Sequence, residues 1–321
     1  MSDNVPFVSI VIPLFNEEQY VGDCISALKA QDYPRDKYEI IVIDNGSTDC
    51  SCDIVRGFDV ALFSLPNVKV GEVRNFGVAK SHGEIVVFID SDCVAYKEWL
   101  TDGVKELENF DAVGGLVMLR DEPSWIERNW ILKSSRDYKY QNTFSGACIF
   151  VKRNVFDAVG GFDIHLNSAE DSALTETLKN SGYKIAINPK LNVVHLGYPV
   201  TISDFINRQK WHSADYAKHL HSIVKDKTMF LVVMFSMSLI MLMIALVLMN
   251  KMLISLSLLL LVLIPLVFSI KRVLRYKGIS AGSDIFSVYL VDVFYVVGRM
   301  FGLISGLKRL VSSSASEKIG K

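Results

Sequence analysis

Two hydrophobic patterns alternate along the first 200 residues. Val8–Ile12, broken only by Ser9, and Ile85–Ile89 are apolar, β-branched runs, and Ile40–Ile43 is a third that ends on Asp44. Runs this short and this apolar predict strands buried on both faces. Polar stretches with helical spacing lie between them, at about Glu17 to Gln31, Ser51 to Phe58 and Asn75 to Ser81. Val68–Val70 reads as a weaker strand, and Ser172–Asn180 as a helix. Strands alternating with helices predict an α/β fold with a mostly parallel sheet. Ligands of such sheets bind beyond the carboxyl ends of the strands.

After residue 224 the pattern changes. Met229–Met249 and Met252–Ile270 are 21 and 19 residues without a charge. As helices they are roughly 32 and 28 Å long, which matches a hydrocarbon core of about 30 Å. Only Asn250-Lys251 separates them, so they read as a transmembrane hairpin. Lys225 and Lys227 precede the hairpin and Lys271, Arg272, Arg275 and Lys277 follow it. The positive-inside rule then puts both ends and the front domain on the cytoplasmic side of a multi-pass protein of the inner membrane. A third apolar stretch, Ile285–Ile304, contains Asp292 and Arg299 on one helix face. It reads either as an interfacial or re-entrant helix, or as a third span with the Asp–Arg pair turned to the bundle. Thr201–His221 is amphipathic and carries Trp211, which suits a linker helix or a membrane-surface helix. His212, His219 and His221 in it read as solvated interfacial residues. The expected domains are 1–200 catalytic, 201–227 linker and 228–321 membrane region.

Composition sharpens this division. Half of the 321 residues are hydrophobic and 21% are charged, and mean hydropathy is +0.28. That excludes disorder and small disulfide scaffolds. The net charge of -1 hides a split: from Lys225 onward 12 Lys and Arg stand against 4 Asp and Glu, so the front is acidic and the back basic. The split fits a soluble domain tied to an anionic membrane surface and does not fit a nucleic-acid clamp. The five cysteines, Cys24, Cys50, Cys52, Cys93 and Cys148, form no CxxC pair and read as reduced thiols. The short run Phe7–Leu14 lacks the basic flank of a secretory signal.

Acidic residues follow two of the strands, in Asp44-Asn45-Gly46-Ser47-Thr48-Asp49 and in Asp90-Ser91-Asp92. In an extended segment residues i and i+2 share a side, and two hard oxygen ligands there suit Mg²⁺ or Mn²⁺ on a diphosphate. Turn and cap residues have the same composition. No GxGxxG and no Walker A pattern follows the first strand.

Further motifs stand in order along residues 7–215. They are Val8-Ser9-Ile10-Val11-Ile12-Pro13-Leu14-Phe15-Asn16-Glu17, Arg74-Asn75-Phe76-Gly77, Val159-Gly160-Gly161-Phe162-Asp163 and Glu170-Asp171. Together with the two acidic motifs they resemble family-2 glycosyltransferases of the GT-A fold, of the bacterial membrane-associated type that assembles cell-surface or exopolysaccharides. The resemblance implies a nucleotide pocket lined by Pro13, Asn16 and Glu17. It implies that Asp44 accepts from the base and that Arg74 lies near base and phosphates. Asp90 would meet the ribose or metal-bound water, and Asp92 would ligate the metal. Asp171 would be the general base with Glu170 beside it, and His195 aligns loosely with a position that touches metal or diphosphate.

Chemistry points the same way. A sugar nucleotide carries a good leaving group whose growing charge a metal neutralises, and a carboxylate can take the proton of an acceptor hydroxyl. A base opposite the leaving group inverts the anomeric centre. Asn45 stands where the family usually has a second aspartate. Asn207-Arg208-Gln209-Lys210-Trp211 departs from the Gln-x-x-Arg-Trp of processive synthases. The expectation is therefore transfer of one sugar, from a UDP-sugar by resemblance, to a lipid-linked saccharide. A polyprenyl-phosphate sugar transferase is the alternative, disfavoured by Cys93-Val94-Ala95-Tyr96 after the acidic motif. A catalytically dead sugar-nucleotide-binding scaffold is the third reading. Trp125 and Trp130 read equally as an acceptor wall or as packing.

Overall fold

The structure, a computed structural model, describes residues 5–131, 143–166, 168–214, 226–275 and 284–319. The chain folds into two compact units: Met1–Asp121 with Ser135–Gly197, and Glu122–Ser134 with Tyr198–Lys321.

The first unit is built on strands β1 (Val8–Leu14), β2 (Tyr38–Asp44), β3 (Ala61–Ser64), β4 (Ile85–Phe88), β5 (Cys93–Ala95), β6 (Ala112–Met118), β7 (Ile149–Lys152) and β8 (Ile185–His195). They form one sheet in the order β3-β2-β1-β4-β7-β6-β8-β5. β3, β2, β1 and β4 run parallel. β7 enters antiparallel to β4 and β6, and β5 pairs antiparallel with β8. The sheet is thus mixed, and its parallel half is the part the apolar runs foretell. Helices α1 (Val21–Lys29), α2 (Ser51–Arg56), α3 (Val70–Ala79), α4 (Trp99–Glu106), α6 (Arg153–Ala158) and α7 (Glu170–Asn180) belong to this unit; α5 (Trp125–Trp130) belongs to the other.

Alternate residues of β1 serve opposite sides of the sheet. Val8, Ile10 and Ile12 join a core with Val42, Trp99 and Phe150, while Val11 joins one with Phe88, Phe156 and Phe162. Each fully buried aliphatic side chain contributes about 1.5–3 kcal/mol. α3 approaches β1 so closely that a Cβ on Gly77 would lie 2.3 Å from Val11 Cγ1. The weak strand expected at Val68–Val70 is not formed. Ala61–Ser64 takes the edge position against β2, and Val70 instead opens α3, whose buried face is Val73, Arg74, Gly77 and Val78.

The second unit holds α5, α8 (Ile202–Ala214), α9 (Lys227–Val247), α10 (Lys251–Arg275) and α11 (Ile285–Ile319). Of the amphipathic stretch expected over 201–221, residues 215–221 lie outside the described residues, His219 and His221 among them. α9, α10 and α11 are long and apolar enough to cross a membrane. Asp226 caps α9 by accepting from the Thr228 N–H at 2.8 Å, which satisfies one of the donors a helix start leaves open. Trp130 is packing, not a free wall: it lies edge-on to Phe205 and stacks on Tyr295, with ring centroids at 5.0 and 5.1 Å. The Arg272 guanidinium covers it at 3.9 Å. The expected Asp292–Arg299 pair is not made. Asp292 is fully buried, pairs with Arg272 from α10 and accepts from Ser269 Oγ at 2.9 Å. Arg299, two turns further on, points to the His212 carbonyl instead.

Candidate active site

Three adjacent parallel strands, β2, β1 and β4, end at the same edge of the sheet. Their carboxyl ends deliver Asp44, the Phe15–Glu17 loop and Asp90 side by side. Asn16 takes a left-handed conformation, φ 56°, a region in which asparagine is favoured. Its side-chain oxygen accepts from the Thr48 N–H at 2.8 Å, and its own N–H donates to Ser47 Oγ at 3.0 Å. The Glu17 N–H donates to Ser51 Oγ at 2.8 Å. The loop after β1 is therefore stitched to the loop after β2. Ser47, in the loop, and Ser51, the first residue of α2, accept these bonds, and nothing in the sequence marks either as a link between the two segments.

Asp44 closes β2 and accepts from the N–H groups of Gly46 at 3.1 Å and Ser47 at 2.9 Å. Burial pushes its carboxyl up, but hydrogen bonds from Ser47, Gly46 and the Cys52 thiol outweigh that and hold it below the usual carboxylate range.

The segment Asp90-Ser91-Asp92 is a turn, not the extended pair expected. The Cys93 N–H closes it on the Asp90 carbonyl at 3.1 Å, and the two carboxylates have different partners. Asp90 Oδ1 accepts from Arg74 at 2.7 Å. Asp92 Oδ2 lies 3.2 Å from His195 Nε2. His195 arrives as the last residue of β8, in register with Cys93 on β5. Asp92, Cys93 and His195 hold their ligand atoms within 4.8 Å of one another. Burial and the neighbouring Asp90 and Asp92 carboxylates push the Cys93 thiol well above its ordinary range, so it stays protonated. The donors that converge are a carboxylate oxygen and an imidazole nitrogen, a set that fits a divalent ion of the Mn²⁺ or Mg²⁺ kind with open positions left for oxygen ligands. A Cβ on Gly197 would come 2.1 Å from Asp92 Oδ2, so only glycine leaves the carboxylate where it is.

Arg74 is the joint of the site. It is 3% exposed and donates to Asp90 and, at 2.6 Å, to Glu170 Oε1. Its guanidinium lies 5.4 Å over the Phe162 ring. Asn75 clamps the backbone of Phe162, donating to its carbonyl at 2.8 Å and accepting from its N–H at 2.9 Å. The Arg-Asn motif and the Gly-Gly-Phe motif are thus two halves of one contact. Arg74 sits buried between carboxylates, and burial costs its charge less than Asp90 and Glu170 return, so its pKa is raised further.

Glu170 and Asp171 open α7 after Ala169, which has φ 65°. Asp171 Oδ2 accepts from the Gly146 N–H at 3.0 Å, and Oδ1 from the Ser172 N–H at 2.7 Å. A Cβ on Gly146 would meet Arg74 at 2.5 Å, so Gly146 holds Asp171 from one side and abuts Arg74 on the other. No motif in the sequence marked Gly146. Pro13, in β1, pairs with Ile43 of β2. The structure therefore gathers Asn16, Glu17, Asp44, Arg74, Asp90, Asp92, His195, Glu170 and Asp171 in one unit. An unbroken chain of contacts runs from Asp90 through Arg74 to the Glu170–Asp171 pair.

A family model described as glycosyl transferase family group 2 matches residues 85–273, and that of glycosyl transferase family 2 matches residues 9–160. The chain belongs to family 2 of the glycosyltransferases. This family-2 chain is 34% identical over 200 residues to the glycosyltransferase AglE of Haloferax volcanii, covering 58% of this chain and 65% of that one. It is 24% identical over 210 residues to a Methanococcus voltae dolichyl N-acetyl-alpha-D-glucosaminyl phosphate 3-beta-D-2,3-diacetamido-2,3-dideoxy-beta-D-glucuronosyltransferase, again covering 58% and 65%. The chain thus spans just under two thirds of the length of these relatives. Its fold resembles that of the mannosyltransferase PcManGT from Pyrobaculum calidifontis, solved with GDP-Man and Mn²⁺. The TM-score is 0.53 and identity 23%, over 70% of this chain and 66% of that one. The fold of the first unit is GT-A.

Proposed function

We propose that this protein is an inverting glycosyltransferase that moves one sugar from a nucleoside-diphosphate sugar, a UDP-sugar, to a lipid-linked saccharide at the cytoplasmic face of the cell membrane. The observation that carries the reading is the Asp90–Arg74–Glu170 bridge, which ties the acidic turn after β4 to Asp171 at the start of α7. A donor site at the strand edge and a base on a neighbouring helix are what a single displacement needs.

In this reading Asp44 and the Asn16–Glu17 loop receive the nucleoside. The acceptor hydroxyl oxygen bonds to the anomeric carbon as the bond from that carbon to the diphosphate oxygen breaks, the electron pair leaving with the diphosphate. The proton passes to Asp171. The Gly146 N–H fixes the direction of its carboxylate. Asp44, Asp90, Asp92, Glu170 and Asp171 set five carboxylates around the guanidinium of Arg74 at this edge. A diphosphate brought there unaided is repelled. Asp92 and His195 would hold a divalent cation there, which would supply positive charge to the leaving group. Arg74 acts as a positioning residue, since its hydrogen bonds go to carboxylates.

The lipid-linked acceptor rests on the apolar helices of the second unit and on the lipid phosphate in the name of the Methanococcus relative. Cytoplasmic placement rests on the basic residues flanking the hairpin. The deciding experiment is donor hydrolysis by detergent-purified protein with UDP-, GDP- and dTDP-sugars, with Mn²⁺, Mg²⁺ or EDTA, beside Asp92→Ala. Release from UDP-sugars that needs metal and is lost in Asp92→Ala is expected. Release that persists in EDTA and in Asp92→Ala overturns the metal assignment. Release from GDP- or dTDP-sugars alone overturns the donor. Offering undecaprenyl phosphate against undecaprenyl-diphosphate saccharides tests the acceptor, and transfer to the bare phosphate alone refutes it.

A further inference from the structure

α11 has the length and apolarity of a third span, yet its contacts within the second unit do not fit one. Ser269 Oγ meets Asp292 at 2.9 Å, so these two residues are level with each other. A third span would run back antiparallel to α10, because the connection 276–284 joins the end of one to the start of the other. Tyr289 would then lie beside the last turn of α10. Its hydroxyl instead donates to the Val262 carbonyl at 3.4 Å, seven residues in the opposite direction along α10. α11 therefore crosses α10 near Asp292 and does not pair along it.

Beyond the crossing, α11 packs on α8. A Cβ on Gly298 would meet Gln209 Cβ at 2.7 Å and Ile206, and one on Gly302 would meet Ser213 and Lys210. Ser213 Oγ donates to the Arg299 carbonyl at 2.9 Å. Gly298 and Gly302 stand about 20 and 26 Å along the helix from Ile285. If α11 spanned, α8 would be drawn to that depth with its exposed Asp204, Asn207 and Lys210 in hydrocarbon, where charged groups are strongly disfavoured. The tip half of the α9–α10 hairpin is meanwhile bare: Val247, Met249 and Met252 are 82%, 83% and 77% exposed. Among the described residues no helix of the unit covers it.

We propose that α11 does not cross the bilayer but lies in the boundary of the leaflet next to Asp226 and Arg275, forming with α8 a surface whose partner is the headgroup layer of anionic phospholipid. Charge selects that partner. Lys210 and Lys308 are exposed, and among the described residues Arg299 makes no ion pair, its Nε buried without a hydrogen-bond partner. Trp211, 73% exposed, suits the same layer. The surface does not depend on the proposed transfer reaction, and its tests do not read transfer.

Sidedness tests it in the full-length protein. Cys50, exposed in the first unit, marks one side of the membrane. Asn250→Cys, at the hairpin tip, marks the other. Lys308→Cys is placed in a chain with Cys50 and Cys52 replaced by Ser, and membrane-impermeant maleimide is applied to right-side-out and inverted vesicles. Labelling of Lys308→Cys from the Cys50 side is expected. Labelling from the Asn250→Cys side overturns the proposal. The lipid is tested in nanodiscs by comparing brominated phosphatidylglycerol with brominated phosphatidylcholine as quenchers of tryptophan emission. The difference in emission between wild type and Trp211→Phe should be quenched more by the anionic lipid. Equal quenching, or none, overturns the anionic assignment.

Discussion

Replacing Arg74 by Met tests whether one buried guanidinium holds the site together. The side chain is 4% exposed, and its removal leaves the Glu170 and Asp90 side chains, 10% and 33% exposed, without their counter-charge. Breaking a buried ion pair from one side costs about 3–5 kcal/mol. The more hydrated Asp90 arm adds at most about 1 kcal/mol. The stacking on Phe162 is lost as well, but Met restores part of the packing. The expected deficit is thus about 4 kcal/mol. For a domain of this size each kcal/mol shifts Tm by about 2–4 °C, so unfolding of the first unit should fall by about 8–16 °C. The assay is thermal unfolding of the detergent-purified chain followed by near-ultraviolet circular dichroism. Adding Glu170→Gln on the Arg74→Met background should recover part of the loss, because the most buried unpaired charge is then gone. A Tm within about 2 °C of wild type for Arg74→Met, or no recovery in the double variant, refutes the account of Arg74 as the joint between the acidic turn and α7.

Four further outcomes follow from named contacts. Gly197→Ala drives a Cβ into Asp92 Oδ2; Mn²⁺ affinity measured by calorimetry should drop at least about tenfold, about 1.4 kcal/mol, and unchanged affinity rejects Asp92 as a ligand. Asp171→Asn keeps the acceptor oxygen for the Gly146 N–H but loses the base, so transfer should be abolished while donor affinity stays within about twofold; lost donor binding removes the base assignment. The Asp44 carboxyl is held below the usual range, so the folded state binds fewer protons there than the unfolded state. Its contribution to stability is complete above the unfolded value of about 3.9 and is lost as pH falls below it. Asp44→Asn should therefore leave the pH dependence of stability between pH 5 and 8 unchanged, and a changed slope there contradicts the hydrogen-bond reading. Arg272→Met leaves buried Asp292 with Ser269 as its remaining partner among the described residues and uncovers Trp130, so the protein should melt earlier with red-shifted tryptophan emission; an unshifted spectrum disproves the stacking.

What the sequence made legible is what local chemistry decides. β1, β2 and β4 are buried on both faces, so their apolar runs announce themselves, and a carboxylate or asparagine just past such a run falls at the ligand edge of a parallel sheet. That is why Asp44 and Asp90 could be placed at that edge from one dimension, whereas Asn16 was named through the family resemblance alone. Partners set by tertiary approach were not legible. The Asp-x-Asp spacing looked like an extended chelating pair, but a tight turn closed by the Cys93 N–H sends one carboxylate to Arg74 and the other to His195. Gly146 and Gly197 matter through atoms 70 or more residues away, Arg74 and Asp92, and a glycine in a loop gives no sign of what it spares. The same limit governs the C-terminal helices. Hydropathy measures how long an apolar helix is and says nothing of the angle at which it meets its neighbour. Asp292 and Arg299 share a face at seven-residue spacing, yet α10 supplies Arg272 first and α8 claims the turn of α11 that carries Arg299. A periodic pattern thus fixes which residues can meet a partner, while the crossing of helices, set by where Gly298 and Gly302 allow contact, decides which partner they meet.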